Sequence, residues 1–326
     1  MNKFHIYTYP RIHFSLIGMN RDGYRINGGA GCSIADPIID CLFEDSENLS
    51  IIDLRNNGFT ELEKRRLIRL INEIASANNF RKRYKCIISG DVLSHAGFGS
   101  NTMIYLSCTE ALFIINNAHY DRDTIIDFSN RGGTSGIGIN TYFLGGFIFD
   151  TGINCSIDND IRPSCIGKRC QRPLTICHIT PPKWEMGIFI PYDIVRKTEE
   201  EEINFFKNYP TISQLEVKDI LYEIVYGITS SIQEGAFNTF CHAINQLQKT
   251  KWKDLEYQLY DSTLKQMACY IHECGATAVG LSSLGPMLYF FGQDIHTINN
   301  HIQNKYSNSM CITTHLNPNK RRIIWE

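Results

Sequence analysis

Three segments of this chain set glycines beside small hydroxyl and amide side chains, and this restricts the fold more than any other feature. They are His95-Ala96-Gly97-Phe98-Gly99-Ser100-Asn101-Thr102, Arg131-Gly132-Gly133-Thr134-Ser135-Gly136-Ile137-Gly138 and Gly280-Leu281-Ser282-Ser283-Leu284-Gly285-Pro286. Glycine lets a backbone come close to a ligand and adopt positive φ, while Ser and Thr hydroxyls and the free N–H groups of a following helix start surround an anion. The first loop is the clearest, with strand, glycines, Ser100-Asn101-Thr102 and then a helix from about 101 to 116. One such loop is an ordinary turn; three in one chain point to phosphate binding. No Gly-Lys-Ser/Thr follows to make a Walker A loop, and Gly97-Phe98-Gly99 lacks the third glycine of a dinucleotide fingerprint.

The segments between these loops alternate irregularly between strand and helix patterns. Residues 4–9 and 12–17 read as two short strands hinged at Pro10. A glycine cluster, Gly28-Gly29-Ala30-Gly31, follows. Thr60 to Asn78 predicts a helix, opened by a Thr60/Glu63 capping box and carrying Leu67, Leu70, Ile71 and Ile74 at helical spacing. Residues 84–89 and 145–150 predict strands, and Leu106 to Ile115 a packed helix. The stretch 155–183, with four prolines, reads as a linker or crossover between domains. Met186 to Pro191 predicts a buried strand, and Glu199 to Glu202 the solvated first turn of a helix. Helical periodicity runs through 214–249 and again from Ser262 to Cys274, where Gly275 suits the helix end. Pro286 stands where another helix could begin. Such a mixture favours α+β over a doubly wound sheet.

Length and charge narrow the function classes. At 326 residues two domains are expected, and a net charge of −2 without a sustained basic face argues against nucleic acid. Lys320-Arg321-Arg322 and Arg81-Lys82-Arg83 read as solvated flanks. The start of the sequence carries no signal-peptide pattern and no segment reaches a membrane span, so a cytoplasmic protein with reduced cysteines is expected. Cys155, Cys165, Cys170 and Cys177 lie close together, beside His178, but they form no C-x-x-C pair and read as thiols rather than zinc ligands. Asp36 and Asp150 are candidate metal partners or turn residues.

The order and texture of the loops resemble the GHMP kinase superfamily, which includes galactokinase, homoserine kinase and mevalonate kinase. Within it the chain resembles the β-ribofuranosylaminobenzene 5′-phosphate synthases, which are C-ribosyltransferases. The resemblance is carried by Arg11-Ile12-His13-Phe14, the glycines at 28–31, the three loops and Gly145-Gly146-Phe147-Ile148-Phe149-Asp150, in order along nearly the whole chain. It implies a two-domain α+β fold of GHMP type. Residues 1–178 would form a ribosomal-protein-S5-domain-2-like half and 179–326 a ferredoxin-like α/β sandwich. Where the kinases typically carry an aspartate after a segment like Ser135-Gly136-Ile137, this chain has Gly138.

The implied reaction joins phosphoribosyl pyrophosphate to an aromatic carboxylate such as 4-aminobenzoate, releasing pyrophosphate and carbon dioxide, with Mg²⁺ held through the pyrophosphate and a homodimer as the assembly. The implied phosphate-binding residues are Gly97, Gly99, Ser100, Asn101 and Thr102; Arg131, Gly132, Gly133, Thr134, Ser135 and Gly136; and Ser282, Ser283 and Gly285. Arg11, His13 and His95 are candidate catalytic residues. His13 reads equally as a core histidine, Arg11 as the partner of a surface acid, and His95 as a cap on its own loop. Leu284, Phe98 and Asn101 depart from the family texture, so the acceptor is open to being another aromatic acid. An ATP-dependent small-molecule kinase is the alternative, and a non-catalytic phosphosugar sensor a second.

Overall fold

Alternating burial sets up the first sheet. Along β1 (Lys3–Thr8) Phe4, Ile6 and Thr8 turn inward while their neighbours stay half exposed. In this computed structural model, residues 3–161, 163, 171–208 and 211–326 are described. β2 (Arg11–Gly18), β3 (Arg25–Ser33), β4 (Ile39–Ser46) and β5 (Ser50–Asp53) precede α1 (Glu61–Ala77). Then follow β6 (Arg83–Ser89), α2 (Ser100–Ile115), α3 (Arg122–Ser129), α4 (Ile137–Leu144), β7 (Phe147–Asp150), β8 (Ile153–Asn154), β9 (Thr175–Ile179) and β10 (Glu185–Pro191). The remainder is mostly helical: α5 (Glu199–Asn208), α6 (Gln214–Tyr222), a π-helical stretch (Glu223–Thr229), α7 (Ser230–Glu234), α8 (Phe237–Leu247), α9 (Lys251–Gln258) and α10 (Thr263–Glu273). It closes with β11 (Ala278–Leu281), β12 (Leu288–Phe291), α11 (Ile295–Lys305), β13 (Ser309–His315) and β14 (Arg322–Trp325).

Three sheets result, in the orders β14-β1-β4-β6-β5, β2-β3-β7-β9 and β11-β12-β10-β13, with β8 also pairing β3. All pairs are antiparallel except β5 with β6. The fold is the α+β mixture expected.

The capping box that opens α1 is formed by Thr60 and Glu63, and Leu67, Ile71 and Ile74 bury the helix's apolar face. Helix α2 is buried almost throughout, packed against β4, β6, α1, α3 and α4. A second, smaller core joins sheet β11-β12-β10-β13 to α10 and α11 through Phe189, Phe290, Leu264, Ile271 and Ile302. Phe14 of β2 joins the parts, with ring centroids 6.2 Å from Phe147, 6.0 Å from Phe240 and 5.7 Å from Tyr289. Among the described residues, no helix is long and apolar enough to cross a membrane.

The glycines of the 28–31 cluster lie within strand β3. Their small size serves packing, because a Cβ on Gly31 would fall 2.5 Å from the Ile12 carbonyl and one on Gly29 2.8 Å from His13 Nε2. Three readings of the sequence need correction, those of the 155–183 stretch, Pro286 and Arg321. The 155–183 stretch contains β9, which pairs with β7. Pro286 opens no helix; it stands in the turn between β11 and β12. Arg321 is no solvated flank: its guanidinium Nε–H donates to Glu110 Oε2 at 2.8 Å, and Glu110 is fully buried. Cys155 and Cys177 are free thiols, while Cys165 and Cys170 lie outside the described residues.

Candidate active site

Helix α2 begins without a side-chain cap. Its N-cap is Gly99 at φ 71°, a left-handed conformation that glycine adopts at little cost. The first N–H groups of a helix have no intrahelical partner and carry the positive end of its dipole. Here that end opens on a cavity of about 110 Å³, lined by Gly97, Gly99, Ser100, Asn101 and Thr102 from the first loop. Ser283, Leu284 and Gly285 line it from the β11–β12 turn, and Arg11, His95 and Arg131 complete its cationic side.

Backbone fits backbone where the first and third loops meet. A Cβ on Gly285 would lie 2.1 Å from the Ala96 carbonyl carbon, and one on Gly97 would lie 2.6 Å from the Ser282 carbonyl oxygen. Gly97 itself has φ 117°. The contact is stitched by the Met287 N–H donating to the Ala96 carbonyl at 3.1 Å. The Gly97 carbonyl accepts from the Ser282 hydroxyl at 2.9 Å and from the Arg11 guanidinium at 2.6 Å. The Ser282 hydroxyl in turn accepts the His13 N–H at 3.0 Å. Beneath the turn, buried Lys253 donates to the Leu281 carbonyl at 2.6 Å and pairs with buried Glu256.

The cations are held in different ways. Burial pulls the Arg11 guanidinium down to about 10, which still leaves it charged at neutral pH. Arg131 lies over the Tyr105 ring at 3.9 Å and leaves its Nε without a hydrogen-bond partner. His95, itself at φ 57°, sets Nε2 2.5 Å from Glu63 Oε1 and Nδ1 3.8 Å from Glu202 Oε1. Burial opposes charge on this ring, but the two carboxylates outweigh it and raise His95 to about 9.

The second loop forms a layer behind the cavity. Among its residues only Arg131 lines the cavity; Gly132, Gly133, Thr134, Ser135 and Gly136 do not, and neither do His13 and Ser282. His13 Nε2 lies 3.2 Å from the Ser135 hydroxyl, and the Gly28 N–H donates to the Thr134 carbonyl at 3.2 Å. His13 is buried, and burial together with the nearby Arg11 and Lys253 charges holds it well below the usual histidine range. The ring is therefore neutral. Asp150 serves the loop: its carboxylate accepts the Gly136 and Gly152 N–H groups, each at 2.9 Å. Burial pushes it up to about 7 despite those bonds. Asp36 receives no such role; its N–H donates to the Thr314 hydroxyl. Gly138, in the first turn of α4, faces Thr102, whose Cγ2 would lie 3.1 Å from a Cβ at 138.

Three carboxylates of the site escaped sequence reasoning. Glu63 was legible only as a helix cap. Glu199 and Glu202, read as a solvated turn, line the cavity instead. Phe205 and Phe206 anchor α5 on Trp252, with ring centroids 5.7 and 6.2 Å away, and that turns the acidic first turn toward His95 and Arg66. A cluster of buried aromatics one to two turns beyond the glutamates was the available signal.

No family model matches the chain. It is 26% identical to the β-ribofuranosylphenol 5′-phosphate synthase of Methanothermobacter thermautotrophicus over 87% of each chain. It is 28% identical to the protein of that name from Methanocaldococcus jannaschii, over 88% of this chain and 89% of that one. Among solved structures, homoserine kinase from Cytophaga hutchinsonii superposes with a TM-score of 0.69 at 10% identity, covering 99% of this chain and 98% of the other. L. major mevalonate kinase, in complex with R-mevalonate, gives 0.69 at 13% identity with 96% of each covered. The chain is thus similar in sequence over most of its length to the β-ribofuranosylphenol 5′-phosphate synthases, and it has the two-domain α+β fold of the homoserine and mevalonate kinases.

Proposed function

We propose that this protein is a ribosyltransferase that binds phosphoribosyl pyrophosphate in the cavity at the start of α2. It would join the ribosyl carbon to an aromatic carboxylate, 4-aminobenzoate or a phenolic analogue, with loss of carbon dioxide and pyrophosphate. The carrying observation is the convergence of an uncapped helix start, Arg11, Arg131 and a protonated His95 on one small cavity. Such a donor set suits a diphosphate whose charge grows as it leaves. The phenol in the relatives' name supports an aromatic acceptor.

In this reading the C1–O bond to pyrophosphate breaks with its electron pair on the leaving oxygen. The ring carbon bearing the carboxylate supplies the pair for the new carbon–carbon bond. Cleavage of the bond to the carboxylate then returns a pair to the ring and releases carbon dioxide. Arg11, Arg131 and the α2 amides hold the leaving group, and the packed loops fix C1 relative to the acceptor. No side chain need take a proton from a hydroxyl, which agrees with glycine at position 138.

Among the described residues no group of three or more His, Cys, Asp or Glu side chains could hold a metal. The pair Glu199 and Glu202 at the cavity suits Mg²⁺ brought in on the diphosphate. Glu199 and Glu202 are the cavity carboxylates that would meet it, and charge neutralisation is what it would supply.

Incubating the enzyme with Mg²⁺, phosphoribosyl pyrophosphate and a mixed aromatic-acid library, followed by mass spectrometry, tests the proposal. The expected product gains ribose phosphate and loses carbon dioxide, with matching pyrophosphate release. ADP formed from ATP and an alcohol, with no pyrophosphate released, would establish the kinase alternative.

A further inference from the structure

We propose that Glu63 is a positioning residue of the site, dividing its carboxylate between the cap of α1 and the His95 ring so that this ring is held at the edge of the anion cavity. The proposal rests on the reading of the cavity as a polyanion site.

The division is visible atom by atom. Oε2 accepts the Thr60 N–H and the Thr60 hydroxyl, both at 2.8 Å. Oε1 faces the other way, 2.5 Å from His95 Nε2, and accepts the Asn101 amide at 3.2 Å. A capping box needs one oxygen, and a glutamine supplies it as well as a glutamate. The charge on Glu63 is surplus to the cap. It lies where it meets two cavity residues, one on the loop and one in the first turn of α2. The carboxylate is itself largely buried, with a side chain 9% exposed. Burial would raise it, but hydrogen bonds from His95 and Thr60 hold it down to about 2.

Fixing Nε2 on Glu63 leaves Nδ1 as the ring position open to the cavity, where it meets Glu202 only at ion-pair distance. An arriving phosphate oxygen would compete with Glu202 for that N–H without disturbing the Glu63 contact. The charged groups around the ring are Glu63 and Arg66 on α1, Glu199 and Glu202 on α5, Arg11 on β2, and Arg131 after α3. Arg196 and Lys197 line the adjoining face. Of these, Glu202 and Glu63 are the two carboxylates that keep the ring charged, and Glu63 is the nearer, at 2.5 Å against 3.8 Å.

The test compares the full-length wild type with Glu63→Gln and Thr60→Ala. Histidine-ring NMR reads the His95 titration, assigned with His95→Gln, and calorimetry reads inorganic pyrophosphate binding at pH 6 and 8. Glu63→Gln keeps a cap and loses the charge. Its His95 midpoint is expected to fall by more than one pH unit, with pyrophosphate affinity near wild type at pH 6 and about tenfold weaker at pH 8. Thr60→Ala loses the cap and is expected to lose stability while its His95 midpoint stays in place. An unmoved midpoint in Glu63→Gln overturns the proposal, as does an equal shift in Thr60→Ala, which would make the effect one of helix integrity. Absence of pyrophosphate binding by the wild type at both pH values would instead sink the polyanion reading, and the titration would still decide what Glu63 does to His95. Should Glu63→Gln fail to fold, Glu63→Asp, which draws the carboxylate back from the ring, is expected to lower the midpoint too, and an unmoved midpoint there counts against the proposal.

Discussion

A carboxylate added at position 138 would stand against Thr102, at the mouth of the α2 dipole, because the missing Cβ already points there. Gly138 is helical with φ in the ordinary negative region, so Gly138→Asp needs only a few tenths of an ångström of movement from the Thr102 methyl. The new charge would oppose a bound diphosphate at close range, and pyrophosphate affinity measured by calorimetry is expected to drop about tenfold. A pH dependence follows from the contacts of His95 with Glu202 and Glu63. Glu63, lowered to about 2, contributes stability that is in full force above its unfolded value of 4.5 and is lost as pH falls through 2. His95, raised from 6.5 to about 9, contributes stability that is complete below 6.5 and is lost as pH rises through 9. Denaturant melts between pH 6 and 9 should therefore show wild-type stability falling while that of His95→Gln stays flatter; parallel curves would contradict the assignment. Ser100, Asn101 and Arg131 were legible from sequence because glycine-loosened loops announce themselves. Glu63 was not, since its capping role already accounted for it, and nothing local says that a second oxygen is free.

Elements meet in this protein through glycine. The β11–β12 turn reaches the cavity only because Gly285 lets the backbone of the third loop lie directly on that of the first, with Ala96 and Gly97 atoms 2.1 to 2.3 Å from where a Cβ would be. Neither partner can yield, both being backbone. Gly285→Ala is expected to push the two loops apart, costing about 1–3 kcal/mol by thermal or denaturant melting, and to abolish pyrophosphate binding. Gly275→Ala makes the control: it too breaks a glycine, at φ 105°, but nothing lies within 4 Å of its Cβ. Only the left-handed backbone is penalised there, at roughly 1 kcal/mol, and binding should survive. Equal loss of binding in both variants would refute the loop-docking account. The same property explains what the sequence left open. The glycine cluster at 28–31 had no element assigned to it, and in β3 its glycines admit the neighbouring strand and α4 at distances a side chain would forbid. Helix α5 was legible as a helix, but which way its first turn faced depended on the distant Trp252.

Across the whole molecule, the last residues are bound into the first half of the chain. Strand β14 pairs with β1, and the segment before it is tied down where the Asn317 N–H donates to the Ser33 carbonyl at 2.9 Å and the Gly146 N–H to the Asn317 carbonyl at 3.0 Å. Nothing in the short basic tail foretold this, because its partner Glu110 lies 211 residues away, in a helix whose sequence gives no sign of which cation meets that acid. The order of the glycine loops, by contrast, was legible across the full length, since each carries its own local requirement. The buried Glu110 carboxylate accepts from the Tyr142 hydroxyl at 2.6 Å and from Arg321, whose guanidinium also rests against the Tyr142 and Phe143 rings at 5.3 and 4.9 Å. Removing the arginine leaves a carboxylate with no cation in a packed interior, and such a loss typically costs 3–5 kcal/mol, more than the pair contributes when intact. Arg321→Ala is therefore expected to destabilise the protein by about 3 kcal/mol in denaturant melts. Arg321→Ala combined with Glu110→Gln should recover much of it, because the stranded charge is gone. A double variant no more stable than Arg321→Ala alone would mean that the tail is held by strand pairing, with the ion pair incidental to it.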